Sequence, residues 1–508
     1  MGDVFTTHQD GGLGLSRFTP DRIHAKIGVC EGSASFTINT PKLITDSASA
    51  ANLMAKGPLL DSIQQHFEEF DANLGQVPAP VICVRAEADV AGSVDAPVKT
   101  ADGGGLAALP TTSGTPTGDR VAYLKITKDG AHGVAEYRRS IDGGVSYEAA
   151  IVTPATGQPI SLSAGVSATF ADHTTPELTF KVGDVYKFVI TGPTASNAAR
   201  ITAMETLRTL DQSEKPFYWV HILGPATRAF AVSVDTVLVD MEDNYFLPVF
   251  AVLEGDLKQD AETVPEFYQR VMDEFDPYYS KRMVIVPAEG RYIPGGIRAA
   301  GGWSAVQNAE TPIGEWRNAA TLLCAKIAAG PPNESAGWVE KKRSLTMSEI
   351  RYWNEGTDPT TDGYRAYMDA MNAMGFTVLK QYEGREGIYV LKDNLKAPSD
   401  SDFQEIPERR RADKMHRIAR SASLPYLNMD SETDSGSGGL ETVRASASDA
   451  VARQMQKPGA AEISGHDIVL DPDGTFDQTG ILIAELSMTI GQRIKEIRWR
   501  TSFIRGES

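Results

Sequence analysis

Cysteine is scarce in this chain of 508 residues, which contains only Cys30, Cys83 and Cys324. No two of them form a CxxC pair, and an odd, sparse set argues against a disulfide framework. Each cysteine lies in an apolar stretch. We therefore expect buried, unreactive thiols in a protein of a reducing compartment.

Long apolar runs are also missing. None approaches the roughly 18 residues that a helix needs to cross a bilayer. The opening residues, MGDVFTTHQDGG, lack the basic and apolar regions of a secretory signal. The sequence predicts a protein that is made in the cytosol and does not insert directly into a membrane.

Positive charge is outnumbered. Lysine and arginine total 49 and aspartate and glutamate total 67, so the formal net charge is −18. A surface this acidic repels the phosphate backbone of nucleic acids. We therefore expect no nucleic-acid partner.

Recognisable catalytic motifs are absent too. The chain has no P-loop, no HExxH zinc motif, no GxSxG nucleophile elbow and no zinc-deaminase pattern. None of the eight histidines stands four residues from another histidine or a cysteine, so no metal-ligand spacing is seen. The sequence predicts a protein that is not an enzyme and has no cofactor. An unrecognised α/β hydrolase is the remaining enzymatic alternative. Its candidate carboxylates, at the ends of predicted strands, are Glu254, Asp256 and Glu289.

The hydrophobic pattern predicts an α/β fold. An amphipathic helix starts at Pro58 and precedes an apolar strand at Val81–Val84, and after residue 196 three helix-like segments are each followed by an apolar strand. Between these stretches, residues 100–118 suggest a linker, and short strand-like runs separated by turn signals continue to about residue 193. The fold class expected is mixed α/β, with a discontinuous core, an inserted all-β sandwich-like domain and two extended arms. The predicted domains are 1–20 (N-terminal arm), 21–100 with 194–400 (core), 101–193 (β insertion), 401–491 (C-terminal domain) and 492–508 (C-terminal arm).

A charged helix is predicted over residues 405–421, in the sequence EIPERRRADKMHRIARS. Docking onto an acidic surface of the same chain or of another subunit is one interpretation, and a solvated helix face is a second. Contact with nucleic acid is a third, which the acidic balance of the chain disfavours. The residues of this helix proposed to make subunit contacts are Arg409, Arg410, Arg411, Lys414 and Arg417.

The end of the chain alternates apolar and polar residues over Leu482–Ile490 and again from Ile497 to Phe503. This period of two predicts strands that pair either within their own sheet or with the sheet of a neighbouring subunit. The further contact candidates are Leu482, Leu486, Met488, Arg493, Arg498, Trp499, Arg500 and Phe503.

Three short segments in the first hundred residues carry a family resemblance: Ile27-Gly28-Val29-Cys30-Glu31-Gly32, Gly57-Pro58-Leu59-Leu60-Asp61 and Val81-Ile82-Cys83-Val84-Arg85. Their strand, helix and arginine-ended strand resemble the opening of the contractile-tail sheath proteins of bacteriophages. That family is related to tailocin and type VI secretion sheaths. The β insertion around Gly133–Gly144 resembles a β module found in phage structural proteins, and the segment Tyr364–Asn428 resembles the sheath family as well.

The resemblance implies a structural subunit without an active site. Such subunits form hexameric rings that stack around a tail tube, and contraction of the sheath drives the tube through the host envelope for genome ejection. The implied partners are other copies of the chain, the tail tube protein, and baseplate and tail terminator proteins. The implied location is the virion tail, assembled in the host cytoplasm. The two arms are expected to complete a four-stranded sheet with a neighbour around Leu482–Ile490. Another tail or baseplate component of a virion is the closest alternative.

Overall fold

The computed structural model describes residues 20–70, 77–118, 120–141, 143–144, 146–212, 214–256, 258–259, 262–292, 315–342, 344–346, 362–382, 385, 387–427, 438–471 and 482–491. The chain divides into two compact units, unit 1 (Met1–Arg409) and unit 2 (Arg410–Ser508). Within the described ranges, no helix combines the length and apolarity that crossing a bilayer would require.

Helices and strands both occur in each unit. In chain order, the helices are α1 (Ser47–Leu53), α2 (Pro58–Glu69), α3 (Asn197–Glu205), α4 (Arg228–Tyr245), α5 (Val264–Phe275), α6 (Ala320–Ala328), α7 (Val339–Lys342), α8 (Asp362–Ala373), α9 (Ile406–Ser423) and α10 (Gly438–Met455). The strands are β1 (His24–Gly28), β2 (Glu31–Gly32), β3 (Lys42–Ile44), β4 (Met54–Lys56), β5 (Val81–Arg85), β6 (Ser93–Val94), β7 (Val98–Ala101), β8 (Thr111–Gly114), β9 (Arg120–Lys128), β10 (Glu136–Ser140), β11 (Ile151–Val152), β12 (Ile160–Ser163), β13 (Val166–Thr169), β14 (Val185–Thr191), β15 (Trp219–Pro225), β16 (Phe250–Glu254), β17 (Met283–Val286), β18 (Glu289–Tyr292), β19 (Glu315–Asn318), β20 (Val378–Gln381), β21 (Ile388–Lys392), β22 (Gly465–Leu470) and β23 (Ala484–Thr489).

The main sheet of unit 1 has the strand order β17-β16-β15-β1-β5-β3. Its strands are parallel except for β3, which runs antiparallel to β5. Helices α4 and α5 connect β15 to β16 and β16 to β17, as parallel pairing requires. Strands from residues 24–85 and 219–286 thus build one sheet, which confirms the predicted α/β class with a discontinuous core.

A β module is inserted between the two halves of that sheet. One of its sheets has the order β11-β10-β9-β14-β6, with β7 also on β14, and the other has the order β12-β13-β8. Both sheets contribute to a shared apolar core that includes Leu124, Leu162, Ala168 and Phe188. The module is therefore sandwich-like, as the predicted fold class states.

The prediction of a linker over residues 100–118 is wrong. This segment contains β8, which pairs along its whole length with β13, from Thr111↔Thr169 to Gly114↔Val166. The module also includes β6 and β7, which begin at Ser93 and Val98 and pair with β14. The TTSG sequence of β8 has the composition of a linker, yet threonine suits a half-exposed strand.

Three turns of the β module project into open space. Gly133, Gly143 and Gly157 have φ values of +78°, +78° and +75°, and no described atom lies within 4 Å of the place a Cβ would take. Glycine serves these turns because it adopts positive φ without steric cost.

The sequence of residues 310–329 also predicts a helix, but the described part of this stretch begins with a strand. Residues Glu315–Asn318 form β19, which pairs with β18, and α6 begins only at Ala320. The Asn318 side chain marks the change, since its Oδ1 accepts the Ala320 N–H at 2.8 Å and its Nδ2 donates to the Val286 carbonyl at 2.9 Å. All nine residues of α6 are buried.

Unit 2 contains most of α9, helix α10 and the antiparallel pair β22–β23. Its apolar core includes Met415, Val451, Met455 and Ile468. The strands pair from Gly465↔Thr489 to Leu470↔Ala484. One face of the pair therefore packs on the helices and the other faces outward.

Candidate assembly interface

Two of the three carboxylates considered for a hydrolase, those of Glu254 and Asp256, have structural partners. Glu254 Oε2 accepts the Gly224 N–H at 2.6 Å and its Oε1 lies 3.2 Å from His221 Nε2. Asp256 pairs with Arg270 at 2.5 Å. Glu289 is paired through the backbone of β18 with Asn318. Among the described residues, no group of three histidine, cysteine or carboxylate side chains is arranged to hold a metal ion.

The carboxyl edge of the main sheet is where α/β proteins usually bind ligands, at the point where strand order reverses. In this sheet that point lies between β1 and β15. A Cβ added at Gly28 would lie 3.2 Å from Leu223 Cβ and 3.4 Å from Leu59 Cβ. The space is filled by apolar side chains, so the geometry gives the hydrolase alternative no support at this edge.

A buried polar network crosses the face of the sheet beneath α2 and α6. The Lys26 ammonium donates to Ser62 Oγ at 2.8 Å and lies 3.2 Å from His221 Nδ1. His221 Nε2 faces Glu254, and Ser62 Oγ is 2.7 Å from Thr321 Oγ1. Burial lowers the pKa of Lys26 from its ordinary value to about 8. The network links the fully buried cation of Lys26 to the carboxylate of Glu254 at the carboxyl edge of the sheet.

Two further histidines extend this network on the same face. The His24 ring stacks on Trp219 with centroids 4.9 Å apart and lies 5.0 Å from the ring of His66. His66 Nε2 is 3.1 Å from the Ala79 carbonyl, whereas neither ring nitrogen of His24 has a described hydrogen-bond partner. Burial lowers the pKa of His66 to about 3 and that of His221 to about 4, and holds the pKa of His24 well below its ordinary value.

Sequence reasoning missed these residues. In the segment RIHAKIG the polar residues alternate with apolar ones, a pattern typical of a strand with one solvated face. The strand is central, however, and both of its faces are covered. His24 and Lys26 are therefore 0% exposed.

A buried ion pair joins α2 to α6. Glu69 and Lys326 form this pair with side chains that are 0% and 1% exposed. Glu69 Oε2 also accepts the Thr346 N–H at 3.0 Å, and Lys326 Nζ donates to the Ser344 carbonyl at 2.9 Å. The pair thereby holds the segment at residues 344–346 onto the core of unit 1.

The charged helix predicted near residue 405 is confirmed as α9. Its first predicted contact residue, Arg409, donates to Glu242 Oε2 at 2.9 Å, and Arg282 Nη2 approaches the same oxygen at 2.5 Å. Burial alone would raise the pKa of Glu242, but the Arg409 and Arg282 guanidinium groups hold it below its ordinary value. This contact supports docking within the chain, and a role for Arg409 between subunits stays a prediction.

Replacing Arg409 with alanine is expected to lower the free energy of unfolding of unit 1 by about 1.5–3 kcal/mol, because a charge-assisted hydrogen bond in a buried setting is lost. Urea unfolding at neutral pH measures the change. Arg385→Ala is the matched control, since its pair with Glu340 has side chains 53% and 80% exposed. An equal loss in both variants would contradict the structural role given to Arg409.

The other predicted residues of α9 lie in unit 2. Arg410 and Arg411 are buried, and Arg417 is half-buried. Lys414 Nζ pairs with Glu462 Oε1 at 2.6 Å, and Arg411 donates to the Glu462 carbonyl at 3.3 Å. Glu462 thus gives two of these cations a partner within the unit.

The strand pair β22–β23 exposes an edge. Five of the six residues of β23 are exposed. The predicted contact residues Leu486 and Met488 lie opposite Ile468 and His466, and Leu482 precedes the strand. In the described part of the chain, no third strand pairs with β22 or β23. The Asp471 N–H donates to the Ile483 carbonyl, so by antiparallel alternation the N–H groups of residues 484, 486 and 488 point to the open edge.

The remaining predicted contact residues lie outside the described residues, as do the predicted C-terminal arm and all but Pro20 of the N-terminal arm. They are Arg493, Arg498, Trp499, Arg500 and Phe503.

A solved structure shares this fold. A chain of the anti-feeding prophage (AFP) baseplate, 6-fold symmetrised, matches with a TM-score of 0.51 at 9% identity, over 99% of each chain. The AFP helical sheath in the contracted state gives a TM-score of 0.46 at 10% identity, over 98% of this chain and 99% of that one. A sheath complex of the extracellular contractile injection system PVC, also contracted, gives 0.40 at 13% identity, over 62% of this chain and 76% of that one. The match to the AFP baseplate chain confirms the predicted resemblance at the level of the fold.

Sequence comparison adds a family. No curated protein matches the chain. The model of the family described as DUF2586, N-terminal domain, matches residues 1–394. Because this match takes in 394 of the 508 residues, the chain belongs to the DUF2586 family.

Proposed function

We propose that this chain is a structural subunit of a contractile tail sheath. It polymerises as stacked hexameric rings around a tail tube, and the assembly shortens to drive the tube through a host envelope. The observation that carries the proposal is the open edge of β22–β23, in a fold shared with a baseplate chain of the anti-feeding prophage. An exposed strand edge is a template for pairing with another chain.

The strand that binds this edge is the C-terminal arm of a neighbouring copy. The outward face of the pair carries Asp467 and Glu485, both exposed. Residues 492–508 of the neighbour supply complementary cations at Arg493, Lys495, Arg498, Arg500 and Arg505. Each added backbone hydrogen bond contributes about 0.5–1.5 kcal/mol net, so an added strand makes a durable link.

Contraction in this scheme requires no nucleotide. The energy is stored in the difference between two lattices of the same subunits. If the contracted lattice buries roughly 200 Å² more apolar surface per subunit, the gain is about 5 kcal/mol at about 25 cal/mol per Å². The chain itself contributes surfaces and links to this process, and no bond-making step.

Deleting residues 492–508 tests the link. We expect the truncated chain to stay folded by circular dichroism and to form no tubes in negative-stain microscopy, whereas the full chain forms hollow cylinders. Arg444→Ala, which removes an exposed arginine of α10 whose partner is Glu441, is the control and should assemble normally. Normal tubes from the truncated chain would refute the linking role.

A baseplate component is the second candidate, favoured by the fold shared with the baseplate chain. The same micrographs separate the two. Helical tubes of indefinite length support a sheath subunit, and rings of fixed height support a baseplate component.

A further inference from the structure

The network around Lys26 lies where α2 packs on the main sheet of unit 1. Its histidines become positively charged on acidification. His24 and Lys26 lie on β1, His221 on β15 and His66 on α2, and all four are 0% exposed. The ring of His66 on the helix lies 5.0 Å from that of His24 on the sheet. Helix α6 covers the same face with Thr321 and Cys324, both buried.

We infer that this contact is an acid-sensitive latch, in which protonation of His24 and His66 separates α2 and α6 from the sheet of unit 1. Two imidazolium rings at this spacing repel each other, and neither would be solvated. His24 is the weak point, because its ring nitrogens have no described hydrogen-bond partner that could favour either protonation state.

The surrounding charges reinforce the effect. Burial is the main cause that lowers the pKa of His24, followed by His66, Lys26 and His221. Those three neighbours are all cationic when protonated. The closest carboxylate of the network, Glu254, lies beyond His221 at the sheet edge, and Glu69 of α2 is already paired with Lys326. Among the groups that act on His24, none supplies the negative charge that would hold an imidazolium in place.

Two cysteines report on the opening. Cys83 pairs in register with Lys26 on the neighbouring strand β5, and Cys324 lies on α6. Both thiols are 0% exposed, and burial raises the pKa of each. Cys30 is partly exposed and serves as the internal reference.

The test is thiol accessibility of the full chain to 4,4′-dithiodipyridine, a reagent that reacts in acid, with far-UV circular dichroism recorded alongside. At pH 7.0 we expect only Cys30 to react readily. At pH 4.5 we expect Cys83 and Cys324 to react at least about 10-fold faster than at pH 7.0, with the circular dichroism retained.

His24→Phe keeps the stack on Trp219 and removes the titration, so its thiols should remain protected at pH 4.5. Lys26→Met removes the neighbouring cation and should likewise keep the thiols protected at pH 4.5. The proposal can therefore still be tested if His24→Phe fails to fold. His173→Phe, at a half-buried site in the β module, is the control and should behave as wild type. The latch is refuted if the wild-type thiols stay protected at pH 4.5, if they react only when the circular dichroism is lost, or if the folded variants open at the wild-type pH.

Discussion

Replacing Glu69 with alanine is expected to lower the free energy of unfolding of unit 1 by about 3–5 kcal/mol, because the change leaves Lys326 as a buried cation without its counter-charge. The Lys326 side chain is only 1% exposed and has no direct access to water. The Thr346 N–H, which donates to Glu69 at 3.0 Å, loses its acceptor as well. Guanidinium chloride unfolding followed by fluorescence measures the change.

The double variant Glu69→Leu with Lys326→Met distinguishes a charge effect from a packing effect. Removing both charges eliminates the uncompensated cation, so we expect the double variant to be more stable than Glu69→Ala and less stable than wild type. The residual loss comes from the Thr346 N–H and from the Ser344 carbonyl, which accepts from Lys326 at 2.9 Å. If the losses of stability caused by the two substitutions separately add up to the loss in the double variant, the two side chains do not interact.

Acidification from pH 7 to pH 4.5 is expected to lower the free energy of unfolding of unit 1 by about 5 kcal/mol through His66 and His221 together. Burial, the main cause, lowers the pKa of His66 to about 3 and that of His221 to about 4. While α2 and α6 stay packed on the sheet, both remain neutral over this range, whereas a chain in which these rings are exposed takes up protons below the ordinary histidine pKa of about 6.5. The unfolded state binds more protons, so stability is lost as the pH falls from about 6.5 towards 4. Urea unfolding at a series of pH values measures the slope.

His66→Phe separates this contribution from that of the carboxylates elsewhere in the chain. The variant loses the hydrogen bond to the Ala79 carbonyl, so we expect about 1 kcal/mol less stability at pH 7. Between pH 7 and pH 4.5 the variant should lose about 2.5 kcal/mol less stability than wild type, because one histidine no longer contributes. An unchanged slope would place the acid sensitivity outside the Lys26 network.

The apolar core of the fold was predictable from the sequence because the central strands are apolar runs. Val81–Arg85 and Met283–Val286 are buried on both faces, as parallel strands covered by helices must be. The polar strand β8 was not predictable, since its Thr-Thr-Ser-Gly sequence is stabilised by pairing with β13, more than fifty residues away.

The buried polar contacts could not be predicted from the sequence, for a different reason. Whether Lys26 faces water or the core depends on α2 and α6, which come from distant parts of the chain. Likewise, the sequence indicates that Arg409 belongs to a charged helix, but only the folded chain places it beside Glu242. The sequence pattern shows which residues are charged, but it does not show which residue each charge pairs with.

The open glycine turns of the β module have a practical consequence for imaging. At Gly133, Gly143 and Gly157 an added Cβ would meet no described atom within 4 Å. A short peptide epitope inserted at one of these positions would extend into free volume, without displacing core side chains. An antibody or gold label bound to such an epitope would mark where the β module lies on an assembled particle and reveal whether it decorates the outside.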